Sequence, residues 1–327
     1  MKRVYGVAIR KGGQGKSTTV STLARLCAIQ GARVLVVDLA QPGSTTTSFR
    51  DLWPEVEHGD FSQCLLNCRD LAPGATLDRV AALGTLTACA LPVRLNAMPS
   101  WGGGCISVLP HDELLGEVAA YLPSDQVLAG LLGALHDTWD VVIVDFPNDG
   151  GQLLANALAV TERVIMPLAP EVPALEGADS TLRLLARARQ AGHAITLGGI
   201  LLTKCEPRNK RAADIVRTLT QSGEVEGEPL HRRLLPFAVR LSEYYEQAFR
   251  YGVAVWERTD DAAHWAGYAL LAMWVLRDAG MEQLTSSPRL EARLDPDTRI
   301  LYSSGLGVGK SEVEYRDFMR AHATLSA

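Results

Sequence analysis

A glycine-rich stretch near the start of the chain has the residue types of a phosphate-binding loop. Residues 10–19 read Arg-Lys-Gly-Gly-Gln-Gly-Lys-Ser-Thr-Thr and lie between an apolar run and a segment of helical periodicity. Glycines let successive backbone N–H groups point at one anion, and the helix N-terminus adds its dipole. The lysine of such a loop contacts the β- and γ-phosphates, and the hydroxyl of the serine or threonine that follows it binds Mg²⁺. Lys16 and Ser17 therefore predict a site for a nucleoside triphosphate with magnesium.

Two aspartates further along the chain each end an apolar strand. Asp38 follows Val-Leu-Val-Val at residues 34–37, and Asp145 follows Val-Val-Ile-Val at residues 141–144. Open α/β sheets bind ligands in the crevice at the carboxyl ends of their parallel strands. We therefore expect both carboxylates at the same edge of the sheet as the glycine-rich loop.

The elements that must position these residues follow an α/β pattern. Strand-length apolar runs alternate with helical periodicity, and nearly apolar strands are typical of a sheet covered on both faces. We predict a mostly parallel twisted sheet flanked by helices over residues 1–280, with a tail or small appendage at 281–327. The predicted strands are 4–9, 34–39, 106–110, 141–145, 164–168 and 200–203. The predicted helices are 17–30, 124–136, 173–190, 210–220 and 260–276.

The composition is that of a globular chain. Hydrophobic residues make up 47% and charged residues 21% of the 327 residues, which excludes disordered and collagenous proteins. Six cysteines are too few for a disulfide framework, which favours reduced thiols and a cytoplasmic location. The apolar run at 266–276 is too short to span a bilayer. The formal charge of −5 gives no overall attraction to nucleic acid, so a basic surface must be local.

Residues 11–17 match K-G-G-x-G-K-[ST], and through them the chain resembles the ParA/MinD family of P-loop NTPases with a deviant Walker A motif. Arg10 stands where the usual pattern has its first glycine. Residues 34–46 resemble the second motif of the family, D-x-D-P-Q-G-N-x-T, and 141–147 resemble its Walker B segment. The resemblance implies an ATPase domain over residues 1–280 that uses ATP and Mg²⁺. It also implies a homodimer in which Lys11 reaches the nucleotide of the other subunit.

The resemblance assigns roles to particular residues. The implied nucleotide contacts are Lys11, Gly12, Gly13, Gln14, Gly15, Lys16, Ser17 and Thr18, with Pro236 and Phe237 flanking the adenine. The implied magnesium ligands are Ser17, Asp38 and Asp145, the last of them through water. The implied catalytic residues are Lys11, Lys16, Asp38, Gln41 and Asp145.

One position departs from the second motif of the family. The motif carries two aspartates, and the second is associated with positioning the attacking water. Here Ala40 stands at that position, and Gln41-Pro42 inverts the usual order. Alanine neither accepts a proton nor orients a water, so Asp38 or Gln41 takes the role or hydrolysis is slow. Glutamine orients water in other phosphoryl-transfer enzymes. We expect slow, partner-stimulated turnover.

Basic side chains cluster in two late segments. Residues 204–217 contain five basic and two acidic side chains, and residues 232–250 contain four and two. Such a run is by itself most simply a solvated face, but relatives in the resembled family bind DNA without sequence preference through such residues. The resemblance implies a cytoplasmic, nucleoid-associated protein that binds non-specific double-stranded DNA and a ParB-like activator. The predicted DNA-binding residues are Lys204, Arg208, Lys210, Arg211, Arg217, Arg232, Arg233 and Arg240.

Two other functions are alternatives. Ala40 favours an ATP-dependent interaction protein with little or no hydrolysis. A MinD-like positioning ATPase would end in a basic amphipathic membrane helix. Residues 311–327 carry three acidic and two basic side chains, so no membrane partner is expected. The cargo, whether a plasmid, a chromosome or a protein body, is chosen by the partner and is not given by the sequence. The sequence assigns no role to 70–104 or 281–327.

Overall fold

The computed structural model describes residues 3–52, 60–67, 90–93, 103–133, 138–206, 210–221 and 223–285. Within these ranges the strands form an eight-stranded sheet and a two-stranded hairpin. The strands are β1 (Arg3–Val7), β2 (Arg33–Asp38), β3 (Leu91–Val93), β4 (Cys105–Leu109), β5 (Val141–Asp145), β6 (Arg163–Leu168), β7 (Thr196–Cys205), β8 (Glu224–Val225), β9 (Glu228–Pro229) and β10 (Leu234–Arg240).

The large sheet is parallel except at one edge. Its order is β10-β7-β6-β1-β5-β2-β4-β3, and only β3 runs antiparallel to its neighbour, β4. The predicted fold class, a mostly parallel sheet with flanking helices, is confirmed. The carboxyl ends of the central strands β1, β2 and β5 therefore lie side by side, which brings the glycine-rich loop next to Asp38 and Asp145.

Helices cover both faces of the sheet. Side chains of β2 alternate between two cores: Leu35 and Val37 face one, and Val34 and Val36 face the other. This double burial explains why the strands are apolar along their whole length. No helix among the described residues has the length and apolar character needed to cross a membrane. The helices are α1 (Lys16–Ile29), α2 (Ser44–Phe49), α3 (Phe61–Asn67), α4 (Leu115–Ala119), α5 (Val127–Gly133), α6 (Gln152–Val160), α7 (Val172–Gln190), α8 (Lys210–Gln221), α9 (Tyr244–Arg250), α10 (Ala266–Asp278) and α11 (Glu282–Thr285).

The structure contains elements that were not predicted and shifts the start of one helix. The strands β3 and β10 were not predicted, since β3 has only three residues and Pro236 lies within the apolar run of β10. The hairpin β8–β9 and the helices α2, α4, α6 and α9 were also not among the predicted elements. The closing helix α10 begins at Ala266 rather than at residue 260, because 3₁₀ turns occupy residues 255–257 and 262–264. Most of the predicted connection at 70–104, and residues 286–327 of the predicted tail, lie outside the described residues.

Candidate nucleotide-binding site

A cavity of about 520 Å³ opens at the edge of the sheet where the parallel strands end. Its volume lies within the range of roughly 300–1,000 Å³ that is common for small-molecule sites. One wall is the glycine-rich loop, and the opposite wall comes from the ends of β7 and β10 and from α9. Besides loop residues 12–18, the lining includes Ala40, Gln41, Asn148, Lys204, Arg240 and Phe249.

Two glycines give the loop its curvature. Gly13 has a φ of 78° and Gly15 a φ of 85°, which is left-handed backbone that glycine adopts without steric cost. Helix α1 begins directly afterwards at Lys16, and the N–H of Thr19 donates to the carbonyl of Gly15 at 2.8 Å. No acidic side chain lies in the first turn of α1, so the positive end of the helix dipole is left for an anion.

Gln14, at the variable position x of the K-G-G-x-G-K-[ST] motif, holds the glycine-rich loop in place. Gln14 is buried, and its side-chain oxygen accepts a hydrogen bond from the N–H of Ala169 at 2.9 Å. Its side-chain amide donates to Glu171, and the hydroxyl of Thr203 donates to the Gln14 carbonyl at 3.0 Å. The loop is thus tied to the ends of β6 and β7. The sequence motif leaves this position open, so it gave no signal for the anchor.

The first part of the loop packs against α7. The N–H of Arg10 donates to the hydroxyl of Thr181 at 2.9 Å. A Cβ added to Gly177 would lie 2.7 Å from the Cβ of Lys11, so glycine permits this close approach. Lys11 itself is exposed and is not among the residues that line the cavity. Its backbone is fixed while its side chain lies outside the site of its own chain.

Lys16 is a buried cation inside the cavity wall. Its side chain is 8% exposed, and Nζ donates a hydrogen bond to the side-chain oxygen of Asn148. Burial lowers the pKa of Lys16, and the charge of Asp145 opposes that shift. Asn148, three residues after the strand-ending aspartate, was not predicted from the sequence, because nothing in an isolated Pro-Asn-Asp turn points to a cation.

The two strand-ending aspartates are direct neighbours. Asp38 and Asp145 occupy paired positions of β2 and β5, and both are fully buried. Burial raises the pKa of the Asp145 carboxyl, and the charge of Asp38 raises it further. Hydrogen bonds from Thr45 and Ser17 and the charge of Lys16 act in the opposite direction. Burial also raises the pKa of Asp38.

Asp38 holds the loop that follows β2. Its Oδ1 accepts a hydrogen bond from the N–H of Ala40 at 3.1 Å. Its Oδ2 accepts two from Thr46, through the N–H and the hydroxyl, both at 2.7 Å. Both oxygens are therefore engaged within the chain. These contacts fix the Asp38 side chain at the site, and the metal and catalytic roles predicted for it from the sequence stay predictions.

The residues around Asp145 suit a magnesium ion. The hydroxyl of Thr45 donates to Oδ2 of Asp145 at 2.7 Å, whereas Oδ1 is buried and has no hydrogen-bond partner among the described residues. The Ser17 hydroxyl is also close enough to this carboxylate to lower its pKa. Hydroxyl and carboxylate oxygens are the ligands that Mg²⁺ prefers. Ser17 and Asp145 would hold the ion, which supplies positive charge to the β- and γ-phosphates.

Ala40 and Gln41 lie at the cavity edge. Ala40 is 4% exposed and lines the cavity, so the departure from the second motif occurs inside the site. Gln41 also lines the cavity, and its amide nitrogen would lie 2.7 Å from a Cβ placed on Gly116 of α4. The structure thus brings Gln41 to the site and holds its amide against a glycine.

A family model described as the CobQ/CobB/MinD/ParA nucleotide binding domain matches residues 5–248. The chain belongs to this family. The chromosome-partitioning ATPase Soj of Thermus thermophilus is 31% identical over 247 residues, which are 74% of this chain and 84% of that protein. The sporulation initiation inhibitor protein Soj of Bacillus subtilis is 25% identical over 246 residues, 74% of this chain and 87% of that protein.

Solved structures of the family have the same fold. Cobyrinic acid a,c-diamide synthase from Mycobacterium smegmatis, with bound ADP and magnesium, is 26% identical with a TM-score of 0.61 and covers 85% of this chain and 95% of its own. The Cyanothece McdA(D38A)–ATP complex is 18% identical, with a TM-score of 0.65 and coverage of 85% and 96%. The predicted family, the P-loop fold and the ATPase class with ATP and magnesium are thereby confirmed.

The residues predicted to bind DNA fall into different environments in this family member. Lys204 and Arg240 lie at the ends of β7 and β10 and line the nucleotide cavity. Lys204 has a φ of 53°, an uncommon conformation for a residue with a Cβ. Neighbouring parallel strands bring the two cations to one edge, a pairing that the charge run did not indicate. Both therefore lie at the candidate nucleotide site, and their predicted contacts with DNA stay a prediction.

The other predicted DNA contacts are partly neutralised. Arg233 bonds to Glu226 at 3.1 Å and to Glu228 at 3.3 Å, and its side chain is only 17% exposed. Arg217 pairs with Asp214 at 3.1 Å. Arg211 and Arg232 are exposed. Arg208 and the side chain of Lys210 lie outside the described residues.

The two residues predicted to flank the adenine, Pro236 and Phe237, do not line the cavity. Pro236 and Phe237 lie inside β10, and Phe237 is 1% exposed in the core beneath α1 and α10. A residue packed there cannot flank a base. The cavity is lined instead by residues 239–242, Tyr245 and Phe249, whose ring is 43% exposed. If residues 234–240 had been predicted as a parallel strand, the residues near the adenine would have been sought at the carboxyl end of that strand.

Proposed function

We propose that this chain is a ParA-type switch that binds ATP with Mg²⁺, hydrolyses it slowly and closes into a homodimer around two nucleotides. The observation that supports this proposal most strongly is that the two lysines of one loop lie in different environments. Lys16 is buried against Asn148 near Asp145, whereas Lys11 is exposed and lies outside the cavity of its own chain. A cation fixed outside its own site is placed to reach the site of a second copy.

The closed dimer is proposed to bind non-specific double-stranded DNA and to position a DNA or protein cargo in the cytoplasm, at the nucleoid. A ParB-like partner then stimulates hydrolysis and release. The γ-phosphate supplies the differential contact that favours the closed state. Support comes from relatives named as chromosome-partitioning ATPases and from exposed Arg211 and Arg232.

Binding to non-specific double-stranded DNA tests this function. The protein is titrated with labelled DNA in the presence of ATP, ADP or no nucleotide, each at two salt concentrations. We expect binding that requires ATP, weakens with salt and is lost in Lys11→Ala. DNA binding that is equal in all three nucleotide states, or absent from all three while ATP binds and dimerises the protein, would contradict the proposal.

A second candidate is an ATP-dependent interaction protein with negligible turnover. The observation that favours it is Ala40, which lines the cavity at the motif position associated with the attacking water. Single-turnover hydrolysis with excess protein separates the two functions. Conversion of bound ATP to ADP on a scale of minutes supports the switch, whereas intact ATP after hours at full occupancy supports the second candidate.

A further inference from the structure

Helix α1 carries a buried arginine on the side that faces α2 and α9. Arg25 is only 4% exposed, and its guanidinium carbon lies 4.3 Å from the centre of the Phe49 ring. Burial lowers the pKa of Arg25 to about 10, and the charge of Glu257 opposes that shift, so the side chain stays charged at neutral pH. A buried charge costs free energy unless it is paired or hydrogen-bonded. The contacts of the guanidinium nitrogens therefore decide what this arginine does.

One nitrogen of Arg25 joins two helix ends that are far apart in the chain. Nη2 donates to the Ser48 carbonyl at 2.7 Å, in the last turn of α2, and to the Gly252 carbonyl at 3.2 Å, just after α9. Gly252 closes the end of α9, since its φ is 61° and its N–H donates to the Phe249 carbonyl at 3.3 Å. A cation is favourable beside the carbonyls at a helix C-terminus. Arg25 thus links both helix ends to α1.

The two linked helices lie on different sides of the nucleotide cavity. Helix α2 carries Thr45, whose hydroxyl donates to Asp145, and so lies beside the residues that suit Mg²⁺. Helix α9 contributes Tyr245 and Phe249 to the wall opposite the glycine-rich loop. Because the loop is suited to phosphates, the base of a bound nucleotide lies toward that wall, where an aromatic ring can stack on it. Arg25 therefore connects the magnesium side of the site with its base side.

The helix on the base side is the more lightly packed of the two. Four of the six residues of α2 are buried, whereas Ala248 is the only buried residue of α9. A gap of about 20 Å³, the size of about one water molecule, interrupts the packing between α1 and α9 beside Arg25. Thr18, Tyr245 and Phe249 line both this gap and the nucleotide cavity. Loss of the Arg25 contacts is therefore expected to move α9 and to leave α2 in place.

We propose that Arg25 is a positioning residue for nucleotide binding, which holds α9 so that the base side of the cavity stays at a fixed distance from the magnesium side. Arg25 does not line the nucleotide cavity, so it acts through the carbonyls of Ser48 and Gly252 on the walls that do. Without it, the loop still binds phosphates, but the base loses part of its wall. The effect on binding follows from the nucleotide site alone, whereas the effect on ATP turnover rests on the proposed function.

Calorimetry of the full chain with two ligands tests this role. Magnesium with ADP contacts both sides of the cavity, whereas magnesium with pyrophosphate contacts only the loop side. We expect Arg25→Met, which keeps an unbranched side chain but has no donor, to bind ADP about tenfold more weakly and to bind pyrophosphate as the wild type does. For ATP turnover we expect KM to rise about tenfold and kcat to stay within about twofold, because the phosphate side keeps its geometry.

Two further variants separate positioning from stability. Both contacts of Arg25 come from one nitrogen, and a lysine ammonium also carries its donors on one atom, so Arg25→Lys is expected to recover part of the ADP affinity. The matched control is Arg163→Met, which removes a partly buried arginine that pairs with Asp278 at the opposite end of the parallel strands. We expect this control to lower the midpoint of urea unfolding and to leave the ADP affinity unchanged.

The outcomes separate the role of Arg25 from hydrolysis. Wild-type ADP affinity in Arg25→Met, or equal losses of ADP and pyrophosphate affinity, overturns the positioning role. An equal loss of ADP affinity in Arg163→Met attributes the effect to stability and also overturns it. If Arg25→Met does not fold, Arg25→Lys gives the same comparison, with a loss expected for ADP alone. The expected ADP affinities with no ATP turnover under any condition contradict the proposed hydrolysis and leave the role of Arg25 in binding intact.

Discussion

The phosphate loop and the late basic cluster both carry cations, but the structure treats them differently. In the loop, Lys16 begins a helix and is held in a buried position by its neighbours. In the cluster, Arg217 and Arg233 are paired with carboxylates. The position of a cation in a glycine-rich loop is set by the local backbone, whereas the environment of a cation in a charge run depends on which acidic residues fold against it. Glu226 and Glu228 of the β8–β9 hairpin are the partners of Arg233, and Asp214 of the same helix is the partner of Arg217.

Lys204 and Arg240 share features with both groups of cations. They belong to the basic cluster by sequence but line the nucleotide cavity in the structure. The parallel pairing of β7 with β10 decides this, because it brings both strand ends to the edge of the sheet that holds the loop. The comparison predicts that substitutions in the basic cluster fall into two classes. Those that line the cavity weaken ATP binding, and those on the exposed surface weaken DNA binding.

The largest effect is expected for Lys16→Ala. Removal of the buried cation eliminates a charge-assisted contact with the phosphates, so ATP affinity falls by about 100-fold. Isothermal titration calorimetry with Mg²⁺ and ATP measures this loss. Arg217→Ala serves as the control, because Arg217 already pairs with Asp214 on the protein surface. Comparable losses in the two variants would show that the loop and the cluster are not distinct.

A smaller effect, with opposite signs for binding and stability, is expected for Lys204→Gly. Loss of a cation at the cavity edge weakens ATP binding by about fivefold, as for a partly solvated ion pair. Glycine at a φ of 53° relieves backbone strain, so the free energy of unfolding rises by about 1 kcal/mol. Binding is measured by calorimetry and stability by urea unfolding.

The control for Lys204 is Arg232→Ala, which removes an exposed cation of the same cluster that does not line the cavity. We expect unchanged ATP affinity and weaker DNA binding in that variant. If Lys204→Gly binds ATP normally and loses only DNA affinity, the assignment of Lys204 to the nucleotide site is wrong.

The smallest effect concerns pH and the buried aspartate pair. Because the folded state raises the pKa of Asp145, it retains a proton that the unfolded chain releases, so stability is lost as pH rises toward neutrality. Asp145→Asn removes this loss. Without Mg²⁺ and nucleotide, the stability of the variant relative to the wild type is expected to increase by about 1 kcal/mol between pH 5 and pH 8. A stability difference that is constant over this range contradicts the account.

Local signals predicted most of the fold and the centre of the site. Apolar strands, the glycine-rich loop and the aspartates at strand ends each follow from the nearby sequence, and the structure brings Lys16, Ser17 and Asp145 together. What was missed depends on tertiary contacts. The anchor at Gln14 and the contact of Asn148 with Lys16 each join residues that carry no shared pattern. Asp38 and Thr46 are both positions of the second motif, but the motif does not state that they are hydrogen-bonded to each other.

The central claim is that ATP closes two copies of this chain through Lys11. Its most direct test is the mass in solution, measured by light scattering after gel filtration with ATP and Mg²⁺, with ADP, and without nucleotide, for the wild type and Lys11→Ala. The account predicts about twice 35.3 kDa only for the wild type with ATP, while Lys11→Ala binds ATP and keeps the monomer mass. A monomer mass for the wild type at full ATP occupancy, or a dimer of Lys11→Ala with ATP, would contradict it.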